Sequence, residues 1–450
     1  MSVIVYVHSH SGIYPRLFVY YGYWKLYNNM LKLYQDFPTE IIQEDERMFN
    51  IAVAQSGGPT AALNASLTGV FNGAEQNSEV DEIFGAENGI EGILGDRLLN
   101  LRSILMDDHD KQLLMTTPST ILGSCRFKLK DWHEDETDYL RITEVFNRHN
   151  IRAFFYIGGN DSMDTVMKLH SYFTAKDIRI RVIGVPKTID NDVTETDHTP
   201  GFGSAAKYVA ATLQEIIRDS RVYSIPSVTI VEIMGRDAGW LAASSCVLRA
   251  NGEPAPHMIY LPEGEFSPEK YLEDVKQAQL RYKAVIVAVS EGITPGDGFH
   301  SSEAVDAFGH KYLSGIGKWL EEYTKENIGC KVRSIELNVM QRCSSHIASL
   351  TDINEAERIG REAVRFALEY GRSGVMMAFH RISNNPYRVE IVAADINKVA
   401  NQEKKFPREW INEAGNNVTV DALNYFLPLI QGEPQVEYRN GIPVHFRLDQ

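Results

Sequence analysis

Long apolar runs are missing from this chain of 450 residues. No stretch approaches the ~18 uninterrupted apolar residues of a membrane-spanning helix, so none is expected. Cysteine is scarce: Cys125, Cys246, Cys330 and Cys343 are scattered without metal-ligand spacing. That usage excludes a disulfide framework and a zinc site, and it suits a reduced, cytoplasmic protein. Positive charge is short as well, with 45 Lys and Arg against 60 Asp and Glu and a formal net charge of −15. Such a balance argues against wholesale nucleic-acid binding and against docking on anionic membranes. Internal repeats and low-complexity tracts are absent.

The first 47 residues stand apart. Aromatics crowd there, as in Phe18-Val19-Tyr20-Tyr21-Gly22-Tyr23-Trp24. The apolar run Val3 to Val7 has neither the preceding positive charge nor the following small-residue site of a secretory signal. Two readings are open: an extension, unstructured or packed on the body or a partner subunit, or an upstream start with Met48 as the natural first residue. The lack of any recognisable role for the segment favours the second.

From Phe49 onward β-rich runs alternate with helical stretches. Strands are expected at Asn50 to Gln55, Ala153 to Ile157, Ile180 to Val185, Ser227 to Ile233, His257 to Leu261, Ala284 to Val289, Ser334 to Met340 and Gly374 to Phe379. Several are apolar without alternation, which suits strands buried on both faces of a parallel sheet. Helices are expected at Pro59 to Glu75, Ser162 to Thr174, Gly203 to Ser220, Asp237 to Arg249, Pro268 to Tyr282, Ser302 to Lys325 and Asp352 to Glu369. The alternation reads as α/β, with two doubly wound lobes. The expected organisation is 48–195 for the first lobe, 196–342 for the second, and 343–450 returning to complete both. Thr294 to Gly298 reads as an ordinary turn.

Ligands of open α/β sheets sit beyond the carboxyl ends of the strands, so the residues just past each strand carry the information. After the first strand comes Gln55-Ser56-Gly57-Gly58-Pro59-Thr60. Paired glycines let backbone N–H groups approach a phosphate, although alone they mark a tight turn equally well. The segment fits neither the dinucleotide fingerprint nor the P-loop. The next strand ends in Gly158-Gly159-Asn160-Asp161-Ser162. Its polar residues could simply cap a helix, or form a phosphate and magnesium site with hard carboxylate oxygens on the metal. The third ends in Lys187-Thr188-Ile189-Asp190-Asn191-Asp192. Two carboxylates and a lysine there exceed folding needs, and a spacing of two in extended chain points Asp190 and Asp192 to one side. Later ends bring Met234-Gly235-Arg236-Asp237, Glu263-Gly264 and Glu291-Gly292, with Arg333 and Gln341-Arg342 flanking another strand. Carboxylates of this kind suit a polyol, and clustered arginines suit a phosphate; singly, each reads equally well as a solvated acid or a surface ion pair.

Together and in this order the segments resemble the phosphofructokinase family, over residues 49 to about 430. The resemblance implies two Rossmann-like lobes with the active site in the cleft between them, and phosphoryl transfer to the 1-hydroxyl of fructose 6-phosphate. By position, Asp190 corresponds to the base that takes the sugar proton, with Thr188 and Asp192 lining the reacting centre. Met234, Gly235 and Arg236 match the sugar-phosphate segment, Arg236 and Lys187 assisting the transferred group. Glu291 matches the carboxylate on the fructose hydroxyls, and Arg333 and Arg342 match the arginines on the 6-phosphate. Gly57, Gly58, Arg126, Gly159, Asp161 and Ser162 fall at donor positions, with Asp161 also the expected ligand of Mg2+.

The donor turns on two residues. ATP-using members typically have glycine where this chain has Asp161, and commonly another where it has Lys187. Pyrophosphate-using relatives have Asp and Lys, as here. A carboxylate in the α-phosphate site would repel and displace the nucleotide, while an ammonium would hold a leaving phosphate. Ile90 falls where some ATP-users place an aromatic against adenine. Three departures stand out: Asn160 replaces a common metal-binding Asp, Ser227 an arginine that reaches a neighbouring subunit, and Val339 a substrate-site histidine. They resemble the long, pyrophosphate-dependent branch. The implied reaction is reversible phosphorylation of fructose 6-phosphate by pyrophosphate in a homo-oligomer, dimer or tetramer. ATP as donor, a non-catalytic regulatory subunit, and an unrelated nucleotide sensor are the alternatives. The first helix carries Leu67, Thr68 and Val70 rather than basic residues, which implies little effector binding there.

Overall fold

Unalternated apolar runs become the centres of two sheets. In the computed structural model, which describes residues 48–296 and 315–448, the first sheet holds seven strands in the order β11-β10-β5-β4-β1-β2-β3. Its members are β1 (Phe49–Gln55), β2 (Val80–Ala86), β3 (Leu98–Asn100), β4 (Ile151–Gly158), β5 (Arg181–Pro186), β10 (Val375–Asn384) and β11 (Tyr387–Asp395). Strands β2, β1, β4, β5 and β10 run parallel, and antiparallel β3 and β11 close the two edges. A second, four-stranded parallel sheet has the order β7-β8-β6-β9, with β6 (Ser227–Ile233), β7 (Met258–Tyr260), β8 (Ala284–Ser290) and β9 (Lys331–Glu336). The reading of residues 1–47, the first part of the helix expected at Ser302 to Lys325, and the end of the turn at Thr294 to Gly298 lie outside the described residues.

Both sheets are covered on both faces, as the period-two alternation of strand side chains requires. Ile51, Val53, Ala153, Phe155 and Ile157 pack one way, with residues of α1 (Leu63–Glu75) and of the long helix Leu350–Leu368. Ala52, Ala54, Phe154 and Tyr156 pack the other way, with α2 (Thr137–Arg148) and α3 (Asn160–Ala175). In the second sheet Val231, Ile233, Ile286 and Ala288 meet α4 (Phe202–Ser220) and the carboxyl-terminal segment around Tyr425 and Phe426. Val228, Ile230, Val285 and Val287 meet α5 (Pro268–Gln279) and α6 (Ile316–Ile328). The architecture is therefore α/β with both sheets doubly wound. Helix α1 lies directly on Leu350–Leu368, henceforth α7: a Cβ on Gly69 would come within 1.9 Å of the Glu357 carbonyl oxygen. Only glycine permits that approach.

Three expectations need correction. The strand expected at Ser334 to Met340 begins earlier, at Lys331, and ends at Glu336; the chain then turns at Asn338, whose φ is +45°, and Met340–Cys343 is helical. The helix expected at Asp237 to Arg249 is one short turn, Trp240–Ser244, followed by a 3-10 stretch, Ser245–Asn251. The strand expected at Gly374 to Phe379 begins at Val375 and is only the first half of β10, which pairs with β11 in an antiparallel ribbon at the sheet edge.

Candidate active site

The carboxyl ends of β1, β4, β5, β6 and β8 open onto one cavity of about 650 Å³. Of the residues expected at the site, Gly57, Gly58, Arg126, Gly159, Asp161, Ser162, Lys187, Thr188, Asp190, Asp192, Met234, Arg236, Glu291 and Arg342 line it. Gly235 stands just behind and donates its N–H to Glu291 Oε1 (3.3 Å).

Arg333 is not brought there. The register Thr229↔Arg333 puts it inside β9, short of the strand's carboxyl end, and its guanidinium pairs with Asp219 at 3.0 Å. With Ser227, Tyr223 and Lys331 it lines a separate small groove. Val339 is on the surface, and Ile90 is fully buried in the core, so neither touches the cavity.

On one side the β1 turn is shaped by Gly57, with φ +74°. A Cβ there would come within 3.0 Å of Lys187 Nζ, so glycine makes room for the ammonium. Lys187 donates to the Gly58 carbonyl (2.8 Å), and Ser124 Oγ donates to the Gly57 carbonyl (2.7 Å). The latter bond ties the turn to the segment carrying Arg126. Residues Asn160, Asp161 and Ser162 do not cap α3; its first turn begins after Gly159 without any side-chain cap. They face the cavity instead. Ser162 shares a short hydroxyl bond with Ser56, Asn160 Nδ2 donates to Asp192 Oδ2 (3.2 Å), and Asp161 lies 3.9 Å from Lys128 Nζ. With backbone N–H groups and cations gathered at a helix start, this side suits a phosphate chain.

The two carboxylates meet by a different route from the one expected. Residues 188–193 bend rather than extend, with Asn191 left-handed at φ +55°, and the bend rather than strand alternation delivers Asp190 and Asp192 to one cavity. Thr188 Oγ1 accepts the Asp190 N–H (3.1 Å) and donates to Asp190 Oδ2 (3.3 Å). Burial pushes both carboxyls up, Asp192 to about 7 with help from the Asp190 charge. Thr188, Lys187 and Arg236 work against the rise at Asp190. Lys187, only 2% exposed, is pushed down to about 8 by burial, against the pull of Asp190 and Asp192. Glu291 is likewise raised to about 7, by burial first and then by Asp190. Two buried polar atoms facing this space have no hydrogen-bond partner among the described residues: Arg236 Nε and Asn160 Oδ1. Orphaned groups of that kind mark a place where a ligand completes the site.

Several lining residues escaped the sequence reading. Lys128 lies two positions past Arg126, and the basic alternation Arg126-Phe127-Lys128-Leu129-Lys130 was a usable signal. Asn401, Gln402 and Glu403 also line the cavity. They come after antiparallel β11, so no rule about parallel strand ends points to them.

Comparison with known proteins shows the family. A sequence model described as "Phosphofructokinase" matches residues 50–367. A pyrophosphate--fructose 6-phosphate 1-phosphotransferase of Xanthomonas campestris is 39% identical, over 89% of this chain and 96% of its own. One of Halomonas elongata is 38% identical, over 88% and 94%. The crystal structure of a pyrophosphate-dependent phosphofructokinase from Nitrosospira multiformis superposes with a TM-score of 0.79 at 36% identity, covering 89% of this chain and 96% of that one.

Proposed function

The chain belongs to the phosphofructokinase family, and we infer that it phosphorylates the 1-hydroxyl of fructose 6-phosphate with pyrophosphate, reversibly, as a diphosphate--fructose-6-phosphate 1-phosphotransferase. The observation that carries this reading is the placement of Asp161, Lys187 and Asp190 in one cavity, which the strand-end glycines Gly57, Gly58 and Gly159 also line.

Asp190 is the base. Its carboxyl is raised by burial, so it can accept the hydroxyl proton as the oxygen attacks phosphorus in line. Lys187 and Arg236 stand over the transferred group and neutralise charge that develops on it, and inorganic phosphate leaves toward Arg126. Glu291 accepts from the sugar hydroxyls, with Met234 and Gly235 shaping that end, and Arg342 holds the sugar phosphate. Asp161 excludes a nucleotide α-phosphate by charge and volume. Pyrophosphate and the sugar phosphate ester have comparable transfer potential, which makes the reaction reversible.

Magnesium fits the residues present. The unpartnered Asn160 Oδ1 and the Asp161 carboxylate at the helix start, with Asp192 on the facing bend, are hard oxygen donors, an amide standing where the family frequently has an Asp. When bound, the ion supplies charge neutralisation on the donor phosphates. Arg333, held by Asp219 away from the cavity, could reach a sugar phosphate only in a neighbouring copy, as the expected homo-oligomer would provide. Among the described residues no helix is long and apolar enough to cross a membrane. We place the enzyme in the cytoplasm on its cysteine usage.

The test is phosphorylation of fructose 6-phosphate with magnesium, pyrophosphate and ATP being supplied in parallel. Turnover with pyrophosphate alone is expected. Turnover with ATP alone would keep the family and overturn the roles given to Asp161 and Lys187.

A further inference from the structure

Behind the bend that carries the two carboxylates lies a cation that the proposed mechanism does not use. Lys404 belongs to the strand-like strap 401–405, beyond β11. Its backbone N–H donates to the Asp192 carbonyl (2.6 Å), and the adjacent Glu403 bridges Val193 in antiparallel fashion. Its Nζ lies over the ring of Trp240, 5.0 Å from the centroid, and the Trp240 indole N–H donates to the Lys404 carbonyl (3.0 Å). At the far end Nζ donates three times: to Asn191 Oδ1 (3.0 Å), the Thr196 carbonyl (3.1 Å) and the Asp197 carbonyl (2.8 Å).

A neutral amine has two N–H donors and an ammonium three. Three acceptors on one nitrogen therefore call for the charged form, even though burial pushes this lysine down to about 7. Asn191 completes the arrangement. It sits between Asp190 and Asp192 in a left-handed conformation, and its Nδ2 donates to the Tyr425 hydroxyl (2.9 Å). Tyr425 in turn donates to the Asp197 carbonyl (2.6 Å). One ammonium thus fixes the residue between the two carboxylates and the return of the same loop six residues later.

We propose that Lys404 is a positioning residue for phosphoryl transfer: acting through Asn191 and the Asp192 backbone, it holds Asp190 and Asp192 in register with the substrate cleft. It touches neither substrate. This proposal rests on the phosphotransferase reading, and its test separates the two. Lys404→Met keeps the stem and removes the three bonds. Asn191→Gly removes one bonded partner while accepting the positive φ. Misplacement by ~1 Å can cost ~10²-fold. The expected result is a fall in kcat of about 10- to 100-fold for Lys404→Met and a smaller fall for Asn191→Gly, with KM for both substrates within about threefold of wild type.

A second readout distinguishes positioning from mere support. Amide exchange of residues 188–197, read by mass spectrometry without substrate, should quicken in both variants. Wild-type kcat in both, or unchanged exchange of that segment, overturns the proposal. Should Lys404→Met not fold, Asn191→Gly decides by the same measures. An inactive wild type would refute the phosphotransferase reading, whereas the exchange measurement would still decide the tether.

Discussion

Lys187→Met separates function from stability at a single position. The ammonium is 2% exposed, and it is pushed from the ordinary lysine value of 10.5 down to about 8, mainly by burial. That gap corresponds to about 3 kcal/mol held against the folded state when the lysine is charged. Linkage sets the sign. The folded pKa lies below the unfolded one, so the unfolded chain binds the proton more tightly. The penalty is complete below about pH 8, fades as pH rises toward 10.5, and is gone above it. Methionine matches the stem and carries no charge, but it strips Asp190 and Asp192 of a stabilising neighbour, which offsets part of the gain. The variant should therefore be as stable as wild type at pH 7, or more stable by up to about 3 kcal/mol. Any excess in melting temperature should shrink between pH 8 and 10. Activity should move the other way. Removing one preorganised donor to a transferring group costs ~10²- to 10³-fold, about 3–4 kcal/mol of transition-state stabilisation. The assay is kcat/KM with pyrophosphate beside thermal melts at pH 7 and pH 10. A variant that keeps kcat/KM within threefold would refute the catalytic role, and one that melts well below wild type at pH 7 would show the ammonium to be a net structural prop.

Further outcomes can be stated briefly. Asp190→Ser should abolish turnover yet leave fructose 6-phosphate binding intact by calorimetry; retained turnover removes it as the base. Asp161→Gly should lower turnover with pyrophosphate and raise turnover with ATP by tenfold or more, and no gain with ATP would discard the exclusion argument. Asp192 and Glu291 are both raised to about 7, and Asp190 is raised by burial, so activity should fall as pH drops through about 7 rather than near 4. A flat kcat/KM from pH 7.5 to 5 would contradict those environments. Gly57→Ala adds left-handed strain of roughly 1–2 kcal/mol and crowds Lys187 Nζ at 3.0 Å, so pyrophosphate use should weaken while sugar phosphate binding holds.

The parallel strands were legible because burial on both faces writes itself as unbroken apolar runs, as in Ala284–Ser290, whose seven residues are all buried. Their ends were legible because the strand direction places the next residues over the cleft. That rule found Gly57, Asp161, Asp190, Arg236 and Glu291 without any contact information. The boundary of β9 was less legible: Arg333 was taken to flank a strand that in fact contains it, and in this chain its side chain pairs with Asp219 rather than lining the cavity. The antiparallel edge β10–β11 left little trace for a related reason. Exposed and buried residues are mixed along it, so its second half looks like surface loop.

Lys404 was illegible on different grounds. Its meaning depends on partners more than two hundred residues away in sequence, Asn191, Thr196 and Asp197, and a lysine after a loop ordinarily reads as solvated. The acidic motif at 190–192 did hint at the need. Two neighbouring carboxylates drawn out of water repel each other and raise each other's affinity for protons. A base must lose its proton near neutral pH to act, so some cation has to oppose burial. Lys187 and Arg236 do so for Asp190 from the cleft, and Lys404 does so for Asp192 from behind. A sequence with buried paired acids thus implies a cation on the hidden side of the loop, although only the fold can say which of its 45 basic residues supplies it.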